Sequence, residues 1–364
     1  MIETSFWQGR RVFLTGHTGF KGAWLAYWLS RMGARVYGYS LEPPTEPNAF
    51  SILALPKLLD QIFGDIRDGV TLSDVLFGFK PEIVFHLAAQ PLVRLSYKEP
   101  RLTYETNVMG TLNVYEAVRA CASVRAIVTV TTDKCYENRE WVWGYRETDP
   151  MGGFDPYSSS KGCAELLSAA YRNSFFSSQH SDSTRAVALA TARAGNVIGG
   201  GDWALDRLVP DCVRSLVAGE EIVIRSPNAI RPWQHVLEPL GGYLLLAQAL
   251  YDGGSEFAQG WNFGPGDQGV MSVESIVRRV IEQWGSGGYR IEANADLHEA
   301  QLLKLDISKA RAYLRWNPVY SVNEAIDKTV AWYKSFYDKK SDMAAITSSQ
   351  IRDYTEAFTC ANKG

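Results

Sequence analysis

Apolar residues in this chain fall in short runs that stay hydrophobic at successive positions rather than at alternate ones. "RVFLTG", "ARVYGYS", "QIFGD", "EIVFHLAA", "RAIVTVTT" and "TRAVALATA" are of this kind, rich in β-branched or aromatic residues. A strand that is apolar on both parities is covered on both faces, as in a parallel sheet. Between the runs the apolar positions recur with helical spacing, over roughly 22–31, 72–79, 101–120 and 157–176. This alternation predicts an α/β fold, a doubly wound parallel sheet with ligands at the carboxyl ends of its strands.

After about residue 195 the rhythm changes. Loops lengthen ("GNVIGGGDWALDR", "SPNAIRPWQHVLEP", "WNFGPGDQGV"), strands shorten to pieces such as "EIVIRS", and helical spacing returns near 273–283 and 323–337. The chain is therefore divided into three parts: 1–195, carrying the cofactor and the chemistry; 196–340, a smaller mixed lobe for substrate with some segments returning to the first domain; and 341–364, a tail or frayed helix. There is no internal repeat.

Composition adds exclusions. With 364 residues, 46% hydrophobic and 21% charged, the chain can bury a large core. A net charge of -3 and no Lys/Arg run give nothing to neutralise a nucleic-acid backbone. No apolar run approaches the ~20 residues of a membrane span, and the start lacks the order of a signal peptide, so a cytoplasmic protein without membrane attachment is expected. Cys121, Cys135, Cys163, Cys212 and Cys360 have no CxxC spacing. They are read as free thiols, with neither a metal site nor a disulfide framework.

"LTGHTGFKGAWL" supplies the first candidate chemistry. Gly16, Gly19 and Gly22 lie between a strand and a helix, where a residue without Cβ permits a tight turn and leaves amides directed at an anion. A G-x-x-G-x-x-G turn alone is a weak sign, since positive φ would also select glycine. Glu42, 20 residues past Gly22 and just beyond the second strand, suits an adenine ribose, and the context favours a Rossmann-type dinucleotide site. No Lys or Arg occurs between Tyr37 and Pro56 to hold a 2′-phosphate, so NAD is expected rather than NADP, although Lys21 and Arg35 lie nearby. Asp65 and Ile66 end the third strand, where a carboxylate can meet the adenine. "HLAAQ" ends the fourth and would bring Leu87, Ala88 and Ala89 under the cofactor, with Thr18 and Phe20 at the turn itself.

"TVTTDKCYEN" and "DPYSSSKGCAELL" hold the reactive groups. Tyr157 and Lys161, four apart, share a helix face, and an ammonium beside a phenol should draw its acidity toward neutrality. Tyr157 is then a base for a sugar hydroxyl that Thr132 orients. Asp133 and Lys134 sit where a second reaction centre could be; the plain alternative is a cap or an exposed ion pair.

At this point the chain resembles the extended short-chain dehydrogenase/reductases that act on nucleotide-sugars, the NAD-dependent epimerase/dehydratase family. "TGHTGFKG", "HLAAQ", "TTDK", "YSSSK" and "ARAGNVIGGGDW" occur in the family's order, over nearly the whole chain to about residue 335. "GHTGFKG", "TTDKCYEN" and "RPWQHVLEPLGGYL" are similar to the branch whose substrate is CDP-D-glucose. That resemblance implies a hydro-lyase using NAD to make CDP-4-dehydro-6-deoxy-D-glucose for deoxysugar (3,6-dideoxyhexose, O-antigen) biosynthesis. It implies C4 oxidation by Tyr157 with Lys161 and Thr132, Tyr157 and Lys161 also binding the cofactor, then loss of water with Asp133 as acid and Lys134 as base. It also implies a diphosphate held by Asn196, Arg207 and Arg231, with Asp202 and His235 lining the nucleotide, and a homodimer or dimer of dimers. dTDP-glucose dehydratases carry Glu where this chain has Lys134. A UDP-sugar 4-epimerase, a dehydratase for another nucleotide-hexose and a non-catalytic NAD-sensing regulator are the rival readings.

Overall fold

The computed structural model describes residues 1–176, 187–266, 269–292 and 302–362. Seven parallel strands form the main sheet: β1 (Arg11–Thr15), β2 (Arg35–Ser40), β3 (Asp60–Phe63), β4 (Ile83–His86), β5 (Ala126–Val130), β6 (Ala188–Ala194) and β10 (Gly260–Phe263). Three further strands, β7 (Asn196–Ile198), β9 (Ile230–His235) and β11 (Val270–Ser272), make a small mixed sheet, and β8 (Ile222–Ile224) pairs with β12 (Tyr289–Ile291). Residues 184–186 of the run read as the sixth strand lie outside the described residues.

The main sheet is ordered β10-β6-β5-β4-β1-β2-β3. Its winding reverses between β1 and β4, and that switch leaves a crevice at the carboxyl edge. Val12, Phe13 and Leu14 show why the strand runs lack alternation, since all three are fully buried. Val12 and Leu14 join a core with Phe85, Val128 and Ala190, packed by the helices Phe20–Arg31 and Leu237–Gly253. Phe13 faces the other way, with Val84, Ile127 and Leu189 against the helices Gly69–Phe79 and Gly110–Ala120.

The structure adds detail to three stretches of the sequence pattern. The stretch 101–120 is two helices, Pro100–Tyr104 and Gly110–Ala120, joined by a π-helical turn at Glu105–Met109. Helical spacing carries no mark of that change of period. β10, from the part read mainly as substrate lobe, forms the edge of the main sheet beside β6. The segment read as a tail is a 19-residue helix, Met343–Ala361, with an Asp342 cap. Its Tyr354 and Phe358 are buried, and the Tyr354 hydroxyl donates to Glu238 Oε2 at 3.2 Å. Among the described residues no helix is long and apolar enough to cross a membrane.

Candidate active site

The glycine turn lies at the switch point. Gly16 has φ +79°, and a Cβ there would stand 2.7 Å from the Ala88 amide nitrogen. The β1 and β4 loops therefore meet backbone to backbone. A Cβ at Gly22 would lie 2.0 Å from the Gly16 carbonyl oxygen, so the first helix can approach the turn only without a side chain there. Gly19 caps that helix in extended conformation and meets nothing nearer than 3.5 Å, which leaves the helix amides open to an anion. The Thr18 hydroxyl joins the turn to the end of β2, with Ser40 Oγ at 2.8 Å and the Leu41 carbonyl at 2.9 Å.

Glu42 is exposed just past β2, and an open groove at the end of β3 is lined by Asp65, Arg67, Asp68, Glu105 and Met109. The Asp65 carboxylate there is engaged by Arg67, at 2.6 Å to Nη2, which holds it below the usual carboxylate range. Ile66 is 4% exposed and packs in the core, with its carbonyl accepting from Asn113 at 2.9 Å. These surroundings fit a dinucleotide: a glycine cradle for the pyrophosphate and a groove beyond it for the adenosine.

The reactive groups gather at the carboxyl end of β5. Thr132 is the cap of a short 3-10 turn, Asp133–Cys135, and its hydroxyl donates to Asp133 Oδ1 at 3.0 Å. Asp133 is 4% exposed, and burial raises it above the usual carboxylate range despite Lys134, Thr132 and Arg231 drawing it down. Tyr157 starts the helix Pro156–Ser174, whose Asp155 cap accepts from Ser158 N at 2.9 Å.

One expectation is corrected here. The Tyr157 phenol is pushed up to about 12 rather than toward neutrality, because burial outweighs the Thr132 hydroxyl that opposes it. Lys161 is turned to the Val130 carbonyl, 3.2 Å from its Nζ, and is drawn down by burial to about 8. Lowering the phenol requires a further positive group in the cleft.

From the second lobe, Arg207 Nη1 donates to Asp202 Oδ2 at 2.7 Å, and its charge acts on Tyr157. Asp202 thereby holds the Arg207 guanidinium in place. Arg231, on β9, acts on Asp133 from the other side. Asn196 begins β7 half-buried, paired in register with Trp233. His235 does not line the cleft: it is fully buried between the rings of Trp24 and Tyr320, and burial lowers it to about 3. Its aromatic shape fills the core at the end of a strand.

Three residues were missed. Lys21, weighed only for a 2′-phosphate, points into the same cluster and is lowered to about 7 by burial and by the Lys161 and Arg207 cations, against Asp133. Gly195 brings the chain against the reactive acid, since a Cβ there would lie 2.7 Å from Asp133 Oδ2. Asn107, within the π-turn, accepts from Gln90 N at 2.8 Å and donates to Ser160 Oγ at 2.9 Å, tying the β4 loop to the tyrosine helix. Only the π-turn is the kind of irregularity that often accompanies function, and it shows in structure alone.

Lys21, Lys134 and Arg231 thus act on the Asp133 carboxylate, with Lys161 and Arg207 acting on Lys21 beside it, a field matched to an anionic ligand. A family profile described as GDP-mannose 4,6 dehydratase matches residues 13–329. The CDP-glucose 4,6-dehydratase of Salmonella typhimurium is 52% identical over 360 residues, covering 99% of this chain and 100% of that protein. Among solved structures, the dTDP-glucose 4,6-dehydratase of Streptomyces venezuelae with NAD and TYD bound has TM-score 0.77 at 22% identity, covering 92% of this chain and 99% of the other. The UDP-glucose 4-epimerase of Thermotoga maritima with UDP-glucose has TM-score 0.75 at 22% identity, with 90% and 99% covered. The chain belongs to the nucleotide-sugar 4,6-dehydratase family of extended short-chain dehydrogenase/reductases.

Proposed function

We propose that the chain dehydrates CDP-D-glucose to CDP-4-dehydro-6-deoxy-D-glucose. The observation that carries the reading is the meeting, at the end of β5, of an oxidation set (Thr132, Tyr157, Lys161) with an elimination pair (Asp133, Lys134). Lys161 of the first set acts on Lys21, which follows the glycine turn. The 52% identity to a protein named for this reaction supports the choice of nucleotide.

NAD, held by the glycine turn, supplies a hydride acceptor at C4 and the donor at C6. Tyr157 takes the 4-hydroxyl proton while Thr132 orients that hydroxyl. Lys161, one turn along the same helix face, would stabilise the resulting phenolate once the cofactor is bound. Once C4 is a ketone its neighbour C5–H is acidic. Lys134 takes that proton and Asp133, whose acidity burial weakens, gives one to the departing 6-hydroxyl. Arg207, aimed by Asp202, and Arg231 hold the diphosphate.

The reading includes a homodimer or dimer of dimers through the helices around residues 100–120 and 156–174, where Tyr104, Met109 and Leu166 are exposed, and a cytoplasmic setting. The purified chain with CDP-, UDP-, dTDP- and GDP-hexoses should give a 4-keto-6-deoxy product far faster from CDP-glucose. Equal rates with dTDP-glucose would remove the nucleotide assignment, and a C4 epimer as product would replace elimination with epimerisation.

A further inference from the structure

Glu165 follows Lys161 by four residues, as Lys161 follows Tyr157, so the three share one face of the helix Pro156–Ser174. It is 5% exposed and saturated with donors. Thr131 Oγ1 donates to Oε1 at 2.5 Å, while Thr191 Oγ1 and Arg193 Nη2 donate to Oε2, each at 2.7 Å. The other arm of Arg193 donates to the Tyr136 hydroxyl at 2.6 Å and the Glu147 carbonyl at 3.1 Å, and that hydroxyl donates to Asn262 Oδ1 at 2.7 Å. One carboxylate thereby joins the end of β5, the neighbouring β6, the tyrosine helix and the chain that continues from Asp133 and Lys134.

We propose that Glu165 is a positioning residue for the reaction, whose buried carboxylate fixes the end of β5 beside Tyr157 and balances the charge of Lys161. Lys161 is also faced by Lys21 from the first helix, His86 from β4 and Cys135 after β5, while Glu165 is faced by Arg193, Arg172 and Tyr115. Burial draws the Lys161 ammonium down, and Glu165 is the foremost group resisting it. Removal of that charge leaves burial less opposed, so Lys161 loses its proton at lower pH. The inference rests on the proposed oxidation by Tyr157 and Lys161.

The test is the pH profile of NAD reduction in a single turnover with CDP-glucose, beside the pH dependence of NAD affinity measured without substrate. In Glu165→Gln the alkaline fall of both should move to lower pH by about one unit, a tenfold change in proton affinity at Lys161. Glu165→Asp, which keeps the charge, should return toward wild type. Thr191→Val removes one hydrogen bond and no charge; it should lower the melting temperature without moving either limb. If Glu165→Gln alone fails to fold, Glu165→Gln/Arg193→Gln removes both buried charges and should move both limbs in the same direction but less, because loss of the Arg193 cation offsets part of the loss of the carboxylate. Profiles that superimpose on wild type in folded Glu165→Gln or the double variant, or an equal displacement in Thr191→Val, overturn the proposal. Absence of reduction in wild type defeats the functional reading instead, and the NAD-affinity arm still decides whether Glu165 governs Lys161.

Discussion

Gly195→Ala should separate folding from chemistry. The added Cβ would lie 2.7 Å from Asp133 Oδ2 and 3.3 Å from its Cγ, whereas ordinary contact begins at 3.4 Å. The carboxylate oxygen must therefore move by about 0.7 Å, the difference of those two distances. It is the tip of a side chain, so it can rotate, at a strain of roughly 0.5–1.5 kcal/mol. Rotation weakens the Thr132–Asp133 hydrogen bond, worth about 1 kcal/mol. The lower entropy of the unfolded Ala chain offsets roughly 0.4–1 kcal/mol of this, so the melting temperature should fall only slightly. The reaction should suffer more: displacement of a proton donor by this amount can cost roughly 10²-fold. In a single turnover with CDP-glucose, reduced nicotinamide should form at close to the wild-type rate and then persist, its decay slowed about a hundredfold. Decay at the wild-type rate in the folded variant would refute the requirement for Asp133 in its observed position. Loss of the initial reduction would place Asp133 in the oxidation step.

Tyr157→Phe should abolish the appearance of reduced nicotinamide, whereas Asp133→Asn should accumulate it together with a 4-keto-hexose, both read by absorbance and product analysis. Glu42→Ala should weaken NAD binding by roughly tenfold in calorimetry, the effect of losing a hydrogen bond to a charged acceptor. Glu238, fully buried, accepts from Val319 N and Tyr320 N yet is raised by burial to about 7. Its folded value lies above its unfolded one. The stability it contributes is therefore present below the unfolded value and is lost as pH rises through about 7, roughly 3 kcal/mol in all. Denaturant titrations from pH 5 to 8 should show that slope in wild type and a flatter line in Glu238→Gln.

What the sequence settles is local. Gly16, Gly19 and Gly22 are read from a turn a few residues long, and Tyr157 and Lys161 share a face because a helix repeats every ~3.6 residues. The strands are legible because each is buried on both sides, which leaves unbroken apolar runs such as Val12–Phe13–Leu14. These features are written by neighbours along the chain.

The remainder depends on partners distant in sequence. Nothing around Gly195 announces that its missing Cβ makes room for Asp133. Lys21 reads as a residue of the cofactor turn until the helix direction sends it toward Lys161 and Arg207. His235 looks like a polar group available for a nucleotide, and only the packing of Trp24 and Tyr320 around it makes it core. The closing helix Met343–Ala361 carries a mixed pattern, and its place is decided by Tyr354 meeting Glu238. The acidity of Tyr157 differs most from the sequence expectation, because residue spacing specifies which groups are near but not how much water they lose. Burial, a property of the whole fold, outweighs the hydroxyl beside it.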